Sequence, residues 1–271
     1  MEQVNLTRRG FLAGTAATGA LAALTLSGCG SSDSSSASSA ATDDGAASGT
    51  IKVANAYSST NYSPIDLNGG SALMMAATFH VFDGLYNLDL TDYSTYPGLA
   101  DGEPVKVTET QYEVKLREGA KFSNGTDVTV DDVLHSFEVN MDATTAGTVS
   151  PFLSFIDSVE AGEGKVIINL KYPFESGLKG RLALVKIFPA AEEANLKTMP
   201  IGSGPWAYQS INGDDGGLIE FAPNEYYEGE TPAEAAAMTW QPMKSDATAR
   251  VTALQEGSVQ VADDIPATNA D

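Results

Sequence analysis

The sequence predicts a mixed α/β fold on three observations. Short segments alternate apolar and polar residues at every second position (51–54, 112–117, 165–171), and helix-like segments lie between them (71–82, 130–141, 246–256). Turn signals punctuate these segments at Gly119, Asn124-Gly125 and Gly257. Two closely spaced strand pairs, 105–108 with 112–117 and 155–159 with 165–171, add antiparallel character. An α/β body with an additional α+β section follows.

The first 29 residues set the compartment. Thr7-Arg8-Arg9-Gly10-Phe11-Leu12 places an arginine pair before an apolar run over 11–26, which ends in Leu26-Ser27-Gly28-Cys29. That run is glycine-broken and shorter than the ~20 residues of a spanning helix. Residues 1–28 are therefore expected to be a twin-arginine lipoprotein signal that is cleaved on export. Cys29 is the expected lipidation site, where acyl chains would anchor the protein at ~0.8 kcal/mol per buried CH2. Residues 29–50, after Cys29 only Gly, Ser, Ala, Thr and Asp, have no aromatic residue and are expected to form a flexible tether.

Composition excludes several classes. Cys29 is the only cysteine, so no intramolecular disulfide can form. Fifteen Lys and Arg against 36 Asp and Glu give a formal charge of −21. Such a surface argues against nucleic acid and against polybasic docking on anionic lipid.

The globular part opens with a strand at 51–54. Residues 71–82, rich in Ala, Met and Phe, read as a buried helix. In 112–117, Tyr112, Val114 and Leu116 share one face, and in 165–171 Val166, Ile168 and Leu170 do so. Thr129 is a good N-cap, and Asp132 completes a capping-box pattern. Val130, Val133, Leu134, Phe137 and Met141 then fall on one helix face. Asn224, Glu225 and Gly229 surround an aromatic turn at Tyr226-Tyr227. A strand at 238–240, a helix at 246–256 stopped by Gly257, and a strand at 259–261 complete the pattern.

One window, 112–137, carries more information than its elements. Tyr112, Leu116-Arg117, Gly119, Phe122, Gly125, Thr129, Asp132-Val133 and Ser136 stand at the spacing of the signature of extracellular solute-binding proteins of family 5, the peptide/nickel group. Val114, Asn124 and Val130 are mild departures. Pro200-Ile201-Gly202-Ser203-Gly204-Pro205-Trp206 and Asn224-Glu225-Tyr226-Tyr227-Glu228-Gly229 resemble two further turns of that family, and 246–261 resembles its helix and strand. The resemblance spans roughly 51–265.

It implies a periplasmic-binding-protein-like (type II) clamp of two lobes that closes on a solute. The partners implied are a peptide, another small solute or a nickel complex, together with an ABC-type permease and its ATPases. By this reading 51–62 and 200–271 form lobe I, incomplete, and 63–199 is a domain inserted into it. Members of the family are longer, so the chain is expected to be an N-terminal portion without the second lobe, weak in binding and in stability by itself. The expected location is the outer face of the cytoplasmic membrane or the periplasm, with the chain anchored at Cys29. No cofactor, no metal site and no catalytic activity are expected.

Candidate solute contacts on this lobe are Tyr57, Ser58, Ser59 and Asn61, in the loop after the first strand, and Trp206. An ordinary turn and a core tryptophan are the competing readings. Gly202, Gly204 and Pro205 are assigned to hinge or turn geometry, and Trp240 to the core. His80 and His135 are too few for a metal site. The adjacent pairs Asp131-Asp132 and Asp214-Asp215 lack calcium-loop spacing. Ser203 lacks the spacing of a nucleophile turn. A surface receptor that reuses the fold without transport, and a secreted hydrolase, are the alternative functions.

Overall fold

The alternation over 51–54 does produce a strand, and it becomes the second strand of a five-stranded sheet. The computed structural model describes residues 49–57, 61–65, 72–146, 148–212, 217–243 and 247–267, with backbone only for 72–76. The signal, Cys29, Ser58, Ser59 and the Asp214-Asp215 pair lie outside the described residues, as does the tether apart from residues 49–50. Strand β1 (Thr50–Asn55) runs parallel to β10 (Ala237–Pro242) on one side and to β11 (Val261–Ala262) on the other. Beyond β10, antiparallel β9 (Ile219–Pro223) and β8 (Trp206–Ile211) give the order β11-β1-β10-β9-β8.

Successive residues of β1 point to opposite faces. Val53 packs with Trp206, Phe221 and Trp240 against Ala77 and Val81 of helix α1 (Ala72–Val81). Ala54 packs on the other face against Ala253 of helix α4 (Ala247–Gln255) and Val259. Gly257 takes φ +72° and ends α4 in the manner anticipated. The last strand is shorter and later than anticipated, because Val259 turns into the core under α4 instead of joining the sheet.

A second sheet, of order β4-β5-β7-β6, comprises β4 (Val105–Thr108), β5 (Gln111–Lys115), β6 (Ile156–Gly162) and β7 (Lys165–Leu170). Tyr112 and Val114 of β5, and Val166 and Ile168 of β7, are almost wholly buried on one face, as their alternation requires. Helix α2 (Val130–Met141) covers that face with Val133 and Phe137. Its capping box is present: Thr129 accepts from the Asp132 N–H, and Asp132 accepts from the Thr129 N–H at 2.9 Å. Strand β4 exposes all four of its residues, although its sequence alternates, because it is an edge strand on which α2 does not pack. A two-stranded ladder, β2 (Tyr86–Leu88) with β3 (Thr95–Pro97), and a short helix α3 (Leu178–Leu182) complete this part.

Where the two large cores meet, Phe82 belongs to one and Leu85 to the other, and Asp83 lies between them at 2% exposure. Its Oδ1 accepts from Asn87 Nδ2 at 2.8 Å. Lys186, equally buried, reaches Asn87 Oδ1 at 3.4 Å and lies over the Phe79 ring. Burial raises the Asp83 carboxyl to about 6, against the opposing pull of Asn87, Lys186 and Arg117. Burial lowers the Lys186 ammonium to about 8, against the pull of Asp83. For both groups, loss of water outweighs the partner's charge.

Candidate functional site

Three parallel strands, β1, β10 and β11, end together, and in open α/β sheets ligands bind outside such carboxyl ends. Asn55 closes β1 and is 4% exposed. Its Nδ2 donates to Asp263 Oδ2 at 3.3 Å, and the Ala56 N–H donates to Asp263 Oδ1 at 2.5 Å. Asn55 Oδ1 is buried and has no hydrogen-bond partner among the described residues. Tyr57, two residues on, is 43% exposed.

Arg250 of α4 fastens this edge. Only 2% exposed, it donates through Nη1 to Met243 O at 2.7 Å, through Nε to Asp263 O at 3.1 Å and through Nη2 to Asp264 O at 2.8 Å. These carbonyls lie just beyond β10 and β11, so one guanidinium sets the spacing of both strand ends. Asp264 is held at φ +47° with its carboxylate 3.6 Å from Arg250. With Arg250 committed to these groups, the polar atoms left at this edge are oxygens: the buried Asn55 Oδ1, the Asp263 carboxylate already bonded to Asn55 and Ala56, and the exposed Asp264 carboxylate. Tyr57 follows two residues after Asn55 and is exposed. Such a surface complements a solute that carries N–H donors or an ammonium group.

The anticipated residues divide between two places. Tyr57 is at this edge. Asn61 follows on the same loop, and its Oδ1 accepts from the Ser63 N–H at 3.1 Å. Trp206 opens β8, the far edge strand, and is 6% exposed in the core beside α1. Trp206 pairs with Pro223, while Phe221 pairs with both Tyr208 and Met238, the partner of Ile51. That register sets Trp206 near the amino end of β1, so Trp206 and Tyr57 do not share one surface.

Gly202 and Gly204 lie against the end of α1. A Cβ on Gly202 would stand 2.1 Å from Val81 O, and the Gly204 N–H donates to that same oxygen at 2.8 Å. Asn224 ties this turn to its own, donating Nδ2 to Gly204 O and its backbone N–H to Pro205 O, each at 2.9 Å. His135 bonds Glu193 at 2.7 Å and sets its ring edge-on to Phe188, while His80 sets its ring edge-on to Trp240. Among the described residues no three His, Cys, Asp or Glu side chains are grouped to hold a metal ion, and no helix is long and apolar enough to cross a membrane.

Sequence reasoning missed Asn55, Asp263 and Asp264, and gave Arg250 no role within its helix. The signal exists only after strand pairing is known, since Asn55 and Asp263 are 208 residues apart.

The model of the bacterial extracellular solute-binding proteins, family 5, matches residues 94–271. The glutathione-binding protein GsiB of Escherichia coli K12 is 30% identical over 223 residues, which are 80% of this chain and 42% of that protein. Among solved structures, the binding protein AgaA of Agrobacterium tumefaciens R10 in complex with agropinic acid matches with a TM-score of 0.74 at 25% identity, over 82% of this chain and 45% of that one. NikZ of Campylobacter jejuni in complex with Ni(L-His) shares the fold at a TM-score of 0.65 and 22% identity, over 78% of this chain and 42% of that one. The chain spans less than half the length of the curated relatives it matches.

Proposed function

Because the chain belongs to the bacterial extracellular solute-binding proteins of family 5, we propose that it captures a peptide or an amino-acid conjugate for an ABC-type uptake system. It would pass the solute to a permease driven by cytoplasmic ATPases. The observation that carries this reading is the acceptor-lined edge: a buried Asn55 Oδ1 without a hydrogen-bond partner among the described residues, the Asp263 and Asp264 carboxylates, and an exposed tyrosine two residues after Asn55. A peptide amine or amide offers the donors this edge lacks, and the Tyr57 ring offers a stacking surface. The relatives that bind glutathione and agropinic acid support the same class of solute.

The lobe assignment is part of the proposal. The sheet built from 50–55 and 206–262 serves as lobe I, with 63–199 as its insertion. The twin-arginine signal and lipidation at Cys29 would hold it outside the cytoplasmic membrane.

Calorimetric titration with glutathione, an unrelated tripeptide and Ni(L-His) tests the solute class. Heat of binding from either peptide and none from the nickel complex supports the reading; the reverse order assigns the protein to metal uptake. Membrane fractionation of the expressed precursor tests the anchor, because Cys29→Ala should move the product into the soluble exported fraction.

A further inference from the structure

We propose that a cavity of about 250 Å³ between β4, β5 and the start of α3 is a second binding site, for one small zwitterion of free amino-acid size. It lies in the four-stranded section and uses no residue of the sheet edge described above, so it does not depend on that reading.

The cavity is walled by two ammonium and two carboxylate groups. Lys106 Nζ lies 2.8 Å from Glu175, and Lys179 Nζ lies 2.8 Å from Glu103. Both glutamates are 67% exposed at the side chain, so the pairs are held loosely and can exchange partners at little cost. Lys106 also pairs with Glu109 at 3.0 Å, so two ammonium groups stand among three carboxylates, and a ligand bearing both signs can answer both kinds: its carboxylate meets the lysines and its ammonium the glutamates.

Tyr112 supplies the built element. The residue is 3% exposed, lines the cavity, and its hydroxyl is buried with no hydrogen-bond partner among the described residues. A buried hydroxyl left unpaired is unfavourable, so a ligand that pairs with it gains that cost back as affinity. Burial raises the phenol's pKa, Glu175 and Glu109 reinforce the rise and Lys106 opposes it, so the group stays a donor at neutral pH. A donor there selects the carboxylate end of the ligand. Leu178 and Pro104 give an apolar wall for a short side chain. Pockets for drug-sized ligands run ~300–1,000 Å³, so this one suits a single small molecule and no extended peptide.

The test is an amide-resolved NMR titration of the full chain with L-alanine, and with acetate and methylamine as half-ligands. We expect saturable shifts at residues 103–112 and 175–179 with L-alanine at millimolar concentration, and none with either half-ligand. Tyr112→Phe should keep the folded spectrum and weaken binding roughly tenfold, the scale of one hydrogen bond to a charged group. Lys179→Met, at a surface position, reads the same loss independently of any effect of Tyr112→Phe on folding. Unsaturable shifts, equal binding by Tyr112→Phe or Lys179→Met, equal binding of acetate, or shifts confined to 55–57 and 263–264 would overturn the site. The last outcome would leave the proposed peptide role standing.

Discussion

Asn55 donates its side-chain amide to Asp263 at 3.3 Å, joining the end of β1 to the segment after β11. The same carboxylate holds the Ala56 N–H, so one aspartate fixes the backbone from which Tyr57 projects. Asp263→Ala should cost roughly 2–4 kcal/mol, because it removes two hydrogen bonds to a charged group and leaves Ala56 N–H unpaired. Asn55→Ala removes only one of these bonds and should cost less. Urea unfolding of the two variants gives the ranking.

A methyl group at Gly202 has nowhere to go, since its Cβ would meet the Val81 carbonyl oxygen at 2.1 Å. Gly202→Ala should destabilise by ~1–3 kcal/mol or more, the scale of overpacking. Gly180→Ala is the control. That glycine lies within α3 with open space around its Cβ position, and the change should stabilise by up to ~1 kcal/mol. Thermal melts of the two variants should therefore shift in opposite directions.

The buried pair Asp83 and Lys186 predicts a shallow trough in stability. Asp83 is raised in the folded state, so its contribution falls as pH rises from about 4 to about 6. Lys186 is lowered, so its contribution falls as pH drops from about 10.5 to about 8. Between about 6 and 8 both groups are charged and the pair contributes least. Lys186→Met alone strands the carboxylate and should cost ~3–5 kcal/mol, whereas the Asp83→Asn, Lys186→Met double variant should be near neutral. Subtracting the double variant's pH–stability curve from the wild-type curve isolates the trough.

Asp132 serves two elements at once. It closes the capping box with Thr129, and its Oδ1 accepts the Ala190 N–H at 2.9 Å, 58 residues away. Thr129→Ala should cost ~1 kcal/mol, the usual value of an N-cap. Asp132→Ala should cost more, because the Ala190 bond goes with it. Equal unfolding midpoints in the two variants would show that the Ala190 bond contributes nothing.

What the chain reveals locally and what it hides follow from contact distance. Thr129 and Asp132, the turns at Gly119 and Gly125, and the buried stripe of β7 all depend on residues within a few positions of one another, and they were legible. The five-stranded sheet was not. Its first strand pairs with strands more than 180 residues later, and no local pattern specifies that partner. β8 and β9 were missed although they complete the sheet. The candidate site inherits the difficulty. Tyr57 was legible as an aromatic after a strand, but its neighbours Asn55 and Asp263 become a site only once β1 and β11 lie side by side. Trp206 looked equally suitable, and only the register puts it at the other end.

The proposed peptide site lies at the carboxyl edge of the five-stranded sheet, against Tyr57 and the acceptors of Asn55 and Asp263. The most direct measurement is an amide-resolved NMR titration with whichever peptide gives heat in calorimetry, repeated on Tyr57→Ala. Saturable shifts are expected at residues 55–57 and 263–264, with affinity roughly tenfold weaker in Tyr57→Ala, the scale of one aromatic contact. Saturable peptide binding that leaves those amides unmoved, or that is as tight in Tyr57→Ala, would contradict it.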